Sequence, residues 1–515
     1  MPGIVLFFEV HQPYRLNKQM HSELFRKALS GRLEPKDLEA VVFDNELNKY
    51  VISRAADRCY IPATRIIIEN ARKYASSHKK FVVAFSISGV FLEQASRWRP
   101  DVINVFQEAV STGMVELVSQ TYYHSIAAFM PYFGLEELAE QVEEHRKVLR
   151  ELFDYAPRAV ENTEFTYNND IACFLHRLGY SVILTEGVDW VLGWRSPNYV
   201  YKARDCDMRV LTRNYRLSDD VGFRFSDRKW DQYPLTADKY AAWLSATPGD
   251  VVLIAMDYET FGEHHPPETG IHEFLKWLPV EVLKHGNLEF LTPSQAASKY
   301  PPRDIYDVPP WSTISWADER NLSAWLGNHL QSNAFKLVAE LRPYVKALGD
   351  QELLKLWKKL TISDHYYYMA TKFGPTGEVH AYFSPYKNAS VAYGLLVEAV
   401  GILADYIAER IKVNKKRVLK NLVLPPNKAF YFNMPTGEYT GISARSLYEF
   451  LNAIRAVPPE SFMYHLHRGD FESWLRSVFF LEEEAEQVAT IREQVGSYTE
   501  KLEQVEKLVK SILEG

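Results

Sequence analysis

Short apolar runs separated by helical patterns fill the first 300 residues, and this alternation limits the fold more than any other feature of the chain. The runs cover residues 4–10, 81–87, 114–119, 158–160, 181–185, 251–256 and 288–291, with a weaker one at 209–211. Each is short and rich in β-branched or aromatic residues, the signature of a buried strand. Amphipathic stretches such as 135–153 and 169–178 lie between them. Strand–helix alternation predicts a parallel sheet with crossover helices. Seven or eight such units predict a closed or nearly closed barrel.

Polar residues follow several runs directly. His11 follows the first, Ser88 and Glu93 the second, and the segment from Tyr122 to His124 the third. Glu161 and Glu164 follow the fourth run, Glu186 the fifth and Asp257 the run ending at Met256. In a barrel the C-terminal ends of all strands open at one mouth, where active sites are built. Residues scattered along the chain are therefore expected to converge there.

The pattern changes after position 300. Pro301, Pro302, Pro309 and Pro310 mark a linker, and helical periodicity dominates from Asp318 to Ile411. Beyond Lys415 a strand is expected at 429–433, a turn at Pro435–Gly437 and a helix at 444–457. Val488, Ile491, Val495, Tyr498, Leu502, Val505, Val509 and Ile512 alternate spacings of three and four residues. Such a seam belongs to a coiled coil or a long helical hairpin, or to a helix packed on its own domain, and Gly496 weakens it locally, so a homo-oligomer through this helix stays open. The expected domains are 1–300, 301–415 and 416–515.

Composition excludes several classes. The 515 residues are 47% apolar and 24% charged, as in an ordinary globular protein. A net charge of −7, spread along the chain, does not fit a nucleic-acid or anionic-membrane partner. No apolar stretch of membrane-spanning length is expected. The three cysteines, Cys59, Cys173 and Cys206, are few and far apart, so neither a disulfide framework nor a zinc spacing is read from them. Met1 leads directly into the first strand without a basic start or a small-residue cleavage site, so no secretory signal is expected. A cytoplasmic protein is the default reading. The 31 Tyr, 28 Phe and 11 Trp suit stacking on sugar rings, and equally a large core.

Cleaving a glycosidic bond takes an acid at the leaving oxygen and a carboxylate at the anomeric carbon, in environments that set opposite protonation. Two segments offer acids among aromatic and apolar neighbours. They are Glu161-Asn-Thr-Glu164-Phe-Thr-Tyr and Met256-Asp257-Tyr-Glu259-Thr-Phe-Gly-Glu-His-His265.

These segments belong to an ordered set of five motifs. The others are His11-Gln-Pro13, Phe85-Ser-Ile-Ser-Gly-Val-Phe-Leu-Glu93-Gln and Ser363-Asp-His-Tyr-Tyr-Tyr-Met-Ala-Thr-Lys372. The set resembles glycoside hydrolase family 57, in its α-amylase-like branch, over residues 11–372. The resemblance implies an incomplete (β/α)7 barrel, then a helical domain that completes the cleft; the small C-terminal α+β/helical domain lies outside it. It implies Glu164 as nucleophile and Asp257 as general acid/base, with Glu161 the chief rival to Glu164. It also implies His11, Glu93, Glu259, Asp364 and His365 as substrate contacts. Trp230 and Trp316 are further candidates to stack on glucose rings, with plain packing as the alternative. An unexceptional role is open for His11, as a strand-end histidine bonded to backbone. Asp364 has one too, as an acid in the first helical turn after a Ser363 cap.

Many relatives carry a histidine where this chain has Glu9, which alters the charge of the cleft floor. No cofactor and no metal are expected. His264-His265 lack a second pair at ligand spacing. The expected activity is retaining hydrolysis of starch, glycogen or maltooligosaccharides, with a 4-α-glucanotransferase or a glucan branching enzyme as the alternative on the same pair. Two other classes stay open. One is a metal-dependent polysaccharide deacetylase on a similar barrel. The other is a catalytically inactive glucan-binding or regulatory protein.

Overall fold

The computed structural model describes residues 2–24, 34–372 and 374–514. Its first strands are β1 (Gly3–Val10), β2 (Val83–Ile87), β3 (Val115–Val118), β4 (Ala159–Glu161) and β5 (Val182–Glu186). β6 (Val200–Ala203), β7 (Arg209–Arg213), β8 (Val251–Asp257), β9 (Glu289–Phe290) and β10 (Ile305–Tyr306) follow. β1 pairs in parallel with β2 and β8, and β2 with β3. β3 reaches β4 through the single bridge Ser119–Val160. β4 pairs with β5 and β5 with β7, and β7 touches β8 only at Arg213–Leu253. Seven parallel strands thus follow one another round a ring with two thin seams. At the β7–β8 seam, β6 lies antiparallel on β7 and carries β10 on its far side. Neither β6 nor β10 was expected from the sequence. Both are very short, and β6 carries a lysine among its apolar residues.

Strand parity sorts the core. In β1, Val5 and Phe7 join Ala84, Val118, Ala159, Leu184, Leu253 and Ala255 in one cluster inside the ring. Ile4, Leu6, Phe8 and Val10 face the other way, onto the surrounding helices. The period of two follows from the strand pleat. It carries Glu9 (after Phe7), Ser86 (after Ala84), Glu161 (after Ala159) and Asp257 (after Ala255) into one inward layer at the mouth. Register agrees: Glu9 is the Cα partner of both Ser86 and Asp257.

Helices His329–Leu348, Gln351–Lys359 and Ala389–Val413 form the helical region. One apolar cluster runs through it and on to Ile512, across position 415. The hairpin β11 (Phe430–Asn433) and β12 (Tyr439–Ala444) and six further helices, from Lys415–Asn421 to Tyr498–Glu514, complete the C-terminal part.

Three expectations are corrected here. The heptad seam is not one helix: helix Glu482–Glu493 ends before Val495, and helix Tyr498–Glu514 starts anew. Val488, Ile491, Val505, Val509 and Ile512 are buried in the chain's own core, while Val495 is fully exposed. Gly496 lies in the break, where its backbone freedom disfavours helix. A disulfide joins Cys173 to Cys206, where none was read. Their separation of 33 residues says nothing until the helix Asn169–Arg177 packs beside the β6–β7 turn. Finally, the helix Ala389–Val413 has 25 residues and contains an 18-residue window of mean hydropathy 1.7, long and apolar enough by composition to cross a membrane. Glu398 and Asp405 interrupt the run in sequence, and Ala392, Leu396, Ala399 and Leu403 bury one face of it in the helical core.

Candidate active site

Glu164 stands on a short 3-10 turn after β4, with φ 62° and ψ 26°. Phe165 next to it, His124 after β3 and Arg320 also have positive φ. Left-handed backbone at non-glycine residues costs on the order of 1–3 kcal/mol each and gathers at functional sites. Here it turns the Glu164 carboxylate away from the ring interior, which Phe165 fills against Phe7.

Two donors hold that carboxylate. Trp316 Nε1–H donates to Oε2 at 2.7 Å, and the Ser363 hydroxyl donates to Oε1 at 2.9 Å. Ser363 is therefore not a helix cap. It is the first residue of the short helix Ser363–Tyr367, whose cap position is Ile362. Trp316 is brought in by backbone pairing of Ile314 with Tyr167 and packs its ring on Phe165. A buried charge network fixes its segment from below. Glu186 receives Arg213 at 2.9 Å and Arg320 at 2.7 Å, and Arg320 also donates to the Trp316 carbonyl.

His124 lies on the other side of Glu164, with Nε2 3.6 Å from Oε1. Its Nδ1 is 2.8 Å from Gln120 Oε1 and 3.1 Å from Glu9 Oε1. Burial alone would lower the proton affinity of this imidazole. The charges of Glu9 and Glu164, and bonding to both, outweigh burial and raise it well above the ordinary histidine value. His11 stacks on His124 at 3.9 Å between centroids. Burial and the neighbouring His124 lower the His11 pKa to about 4. Neutral His11 donates from Nε2 to Asp364 at 3.0 Å and accepts from Ser88 at Nδ1, 2.7 Å away. That tautomer follows from the partners' chemistry. Despite burial, the His11 bond and charge hold Asp364 below the usual carboxylate range.

Asp257, at the end of β8, has the opposite environment. Burial, then the charges of Glu259, Glu9 and Glu164, push its carboxyl well above the ordinary range. Glu259 lies beneath, receiving the Tyr60 hydroxyl at 2.5 Å, and burial raises it to about 7.

The other expected contacts are placed differently. Glu93 is spent on Tyr14, Tyr122 and Lys359, at 3.2, 3.0 and 2.9 Å, in a cluster that ties the sheet to the helical region. His365 turns into the core, where Nε2 bonds the Lys359 carbonyl and the ring lies near Phe43. The helix turns each residue by about 100°, so Asp364 and His365 cannot both face the cleft. Trp230 packs edge-on against Trp243. His124, Ser363 and Glu186 were legible in the sequence only as polar residues after apolar runs or as a cap.

His11, His124 and Asp364 could be considered for a metal, since one ligand atom of each lies within 4.8 Å of the others. The two rings are stacked, so their in-plane lone pairs run side by side and do not converge. Both His11 nitrogens also already have partners. His265 bonds Ser226 and backbone carbonyls.

With its paired carboxyls at a strand-end mouth, the chain belongs to glycosyl hydrolase family 57, whose model matches residues 5–309. It is 43% identical over 415 residues to a Methanocaldococcus jannaschii protein provisionally named an alpha-amylase, covering 79% of this chain and 85% of that one. Its fold resembles the branching enzyme of Pyrococcus horikoshii, with a TM-score of 0.54 at 13% identity over 81% of this chain and 94% of that chain. It also resembles the 4-alpha-glucanotransferase of Thermococcus litoralis, with a TM-score of 0.50 at 17% identity. That match covers 71% of this chain and 56% of the glucanotransferase's length.

Proposed function

We propose that this chain is a retaining glycosidase of the α-amylase type, acting on α-glucans, and that its ring of parallel strands is an incomplete (β/α)7 barrel. The observation that carries the reading is the contrast between two carboxyls at one mouth. Glu164 accepts from Trp316 and Ser363 and faces His124, an arrangement suited to an anion. No described residue donates to the Asp257 carboxyl, and three acids surround it, an arrangement suited to a proton carrier. Environments that drive two acids apart assign their roles.

In the proposed reaction the Asp257 carboxyl protonates the leaving glycosidic oxygen as that C–O bond breaks. An electron pair of Glu164 forms a bond to the anomeric carbon, giving a glycosyl ester. The Asp257 carboxylate then takes a proton from water, whose oxygen displaces Glu164 and restores both groups. His11 and Asp364 offer a donor and acceptor system for sugar hydroxyls. The phenol of Tyr367, raised mainly by burial, also feels the charges of Glu164, Asp318 and Asp257.

The test is product analysis on maltooligosaccharides and amylopectin with the parent, Glu164→Gln and Asp257→Asn. Each variant should lose roughly a thousandfold or more in kcat, and the first product should carry the α-anomeric configuration. Full activity in either variant would remove that residue from its role. Transfer to a sugar hydroxyl would use the same pair, and lengthened or branched products would reveal it.

A further inference from the structure

Two buried acids beneath the site, Glu9 and Glu161, make or break no bond in that mechanism. Glu9 is 2% exposed and Glu161 0% exposed. Strand parity points both inward, from β1 and β4 into the layer that holds Asp257. None of their four carboxyl oxygens accepts a well-aligned hydrogen bond from the protein. The polar groups beside them are Ser86 at Glu161 and His124 at Glu9, and two ionised carboxylates this deep and this close would still suffer both desolvation and like-charge repulsion. A proton between them relieves both. The ring above them is equally constrained. His124 Nδ1 faces only acceptors, Gln120 Oε1 and Glu9 Oε1, and Nε2 faces the acceptor Glu164 Oε1. A neutral imidazole has one hydrogen and would leave one of these contacts lone pair against lone pair.

We propose that Glu9 and Glu161 share a single proton, and that this singly charged pair is a positioning element that keeps His124 doubly protonated with its Nε2–H aimed at Glu164. The proposal rests on the glycosidase reading for its consequence, though not for its geometry. The pair's charge resides on Glu9, the member beside His124. Glu161, enclosed completely and next to Glu9, is pushed well above the carboxylate range by burial and then by that neighbour's charge. Glu9 acts in two directions. Through His124 it sets a positive group against Glu164 and restrains the carboxylate's orientation. Through space it opposes ionisation of Asp257, its register partner. The ionisable groups bearing on Glu9 come from several elements: Glu161 on β4, His124 after β3, Asp257 at the end of β8, and Glu259 on the following turn.

Glu9→Gln and Glu161→Gln separate charge from shape. Glu161→Gln puts a neutral amide where the proton already sits, so the alkaline limb of kcat/KM should stay in place. Glu9→Gln removes the negative charge and with it the His124 positive charge; of the two, Glu9 acts more strongly on Asp257, so that limb should still move down, by less than about one pH unit. In ¹⁵N-histidine-labelled parent protein without substrate, the His124 ring should show two protonated nitrogens at pH 7. Its signal is assigned by its loss in His124→Gln. In Glu9→Gln the ring should be neutral at that pH. A neutral His124 in the parent, or equal shifts of the limb in both variants, would overturn the proposal. So would a Glu9→Gln protein that melts lower while its limb stays fixed. Should Glu9→Gln fail to fold, the parent's ring signal and Glu161→Gln still decide. The ring measurement needs no turnover, so its failure is distinct from failure of the glycosidase reading, which Glu164→Gln and Asp257→Asn test.

Discussion

Trp316 donates its indole N–H to Glu164 Oε2 at 2.7 Å, across 152 positions of sequence. The same tryptophan's backbone N–H reaches back to the Glu164 carbonyl at 3.2 Å. The segment after the strand ring therefore locks both ends of the proposed nucleophile. A hydrogen bond to a charged group is worth about 1.5–3 kcal/mol. Trp316→Phe keeps the ring packed on Phe165 and removes only the donor. We expect kcat/KM to fall roughly 10- to 100-fold, with little change in thermal midpoint. Parental kcat/KM in this variant would show that the bond does not align Glu164.

His145 is wholly buried on helix Gly134–Phe153, and Nε2 donates to the Ile87 carbonyl at 2.7 Å. Burial lowers its pKa from 6.5 to about 4. Between these values the unfolded chain binds a proton that the folded chain does not, so stability falls as pH drops from 6.5 towards 4. Above 6.5 the group contributes no pH dependence. His11 and His365, also lowered to about 4, act in the same direction. Glu259, raised to about 7, acts oppositely, favouring the folded state as pH falls from 7 to 4.5. The His145 share is isolated by difference. In that window the parent should lose about 1.4 kcal/mol per pH unit more than His145→Gln. Urea unfolding at pH 7, 6 and 5 measures it. Parallel pH curves for the two proteins would contradict the assignment.

Glu137 is buried at the seam between the strand ring's outer helix and the helical region. It receives Arg342 Nε at 2.9 Å and lies 3.5 Å from Lys358 Nζ. Glu137→Ala would leave two buried cations short of a partner, a loss of about 3–5 kcal/mol. Glu136→Ala, one position away and exposed, should cost under about 1 kcal/mol. Chemical denaturation of the two variants side by side checks the contrast. Equal losses would show that the seam does not depend on the buried charge.

The Cys173–Cys206 bond closes a separation of 33 residues. Loop-closure entropy assigns such a crosslink about 3–4 kcal/mol. Cys206→Ser, or reduction of the parent, should lower stability by about that amount, and reductant should then have no further effect on the variant. A parent whose unfolding curve ignores reductant would show that the crosslink adds nothing.

Local pattern made most of the ring readable. Run 4–10 became Gly3–Val10 and run 251–256 became Val251–Asp257, because β-branched runs bounded by turns have few other uses. β6 and β10 escaped notice because strands of four and two residues carry almost no periodicity. The last heptad misled because spacing records which residues are apolar and not whether the backbone between them stays helical. Gly496 was the one local sign of the break.

The sequence by itself determined which side chains share the inward layer at the mouth, since a pleat of period two leaves Glu9, Glu161 and Asp257 no other side. Tertiary structure alone decided what those side chains meet. Glu164 points at Trp316 and Ser363 only because left-handed backbone at 164 and the packing of distant segments coincide. His365 faces Phe43 because of how one short helix is rotated. Cys173 finds Cys206 through the meeting of a helix and a turn. Pattern is set by bonds between neighbours along the chain, whereas partnership and protonation depend on distances that exist only once the whole chain has packed.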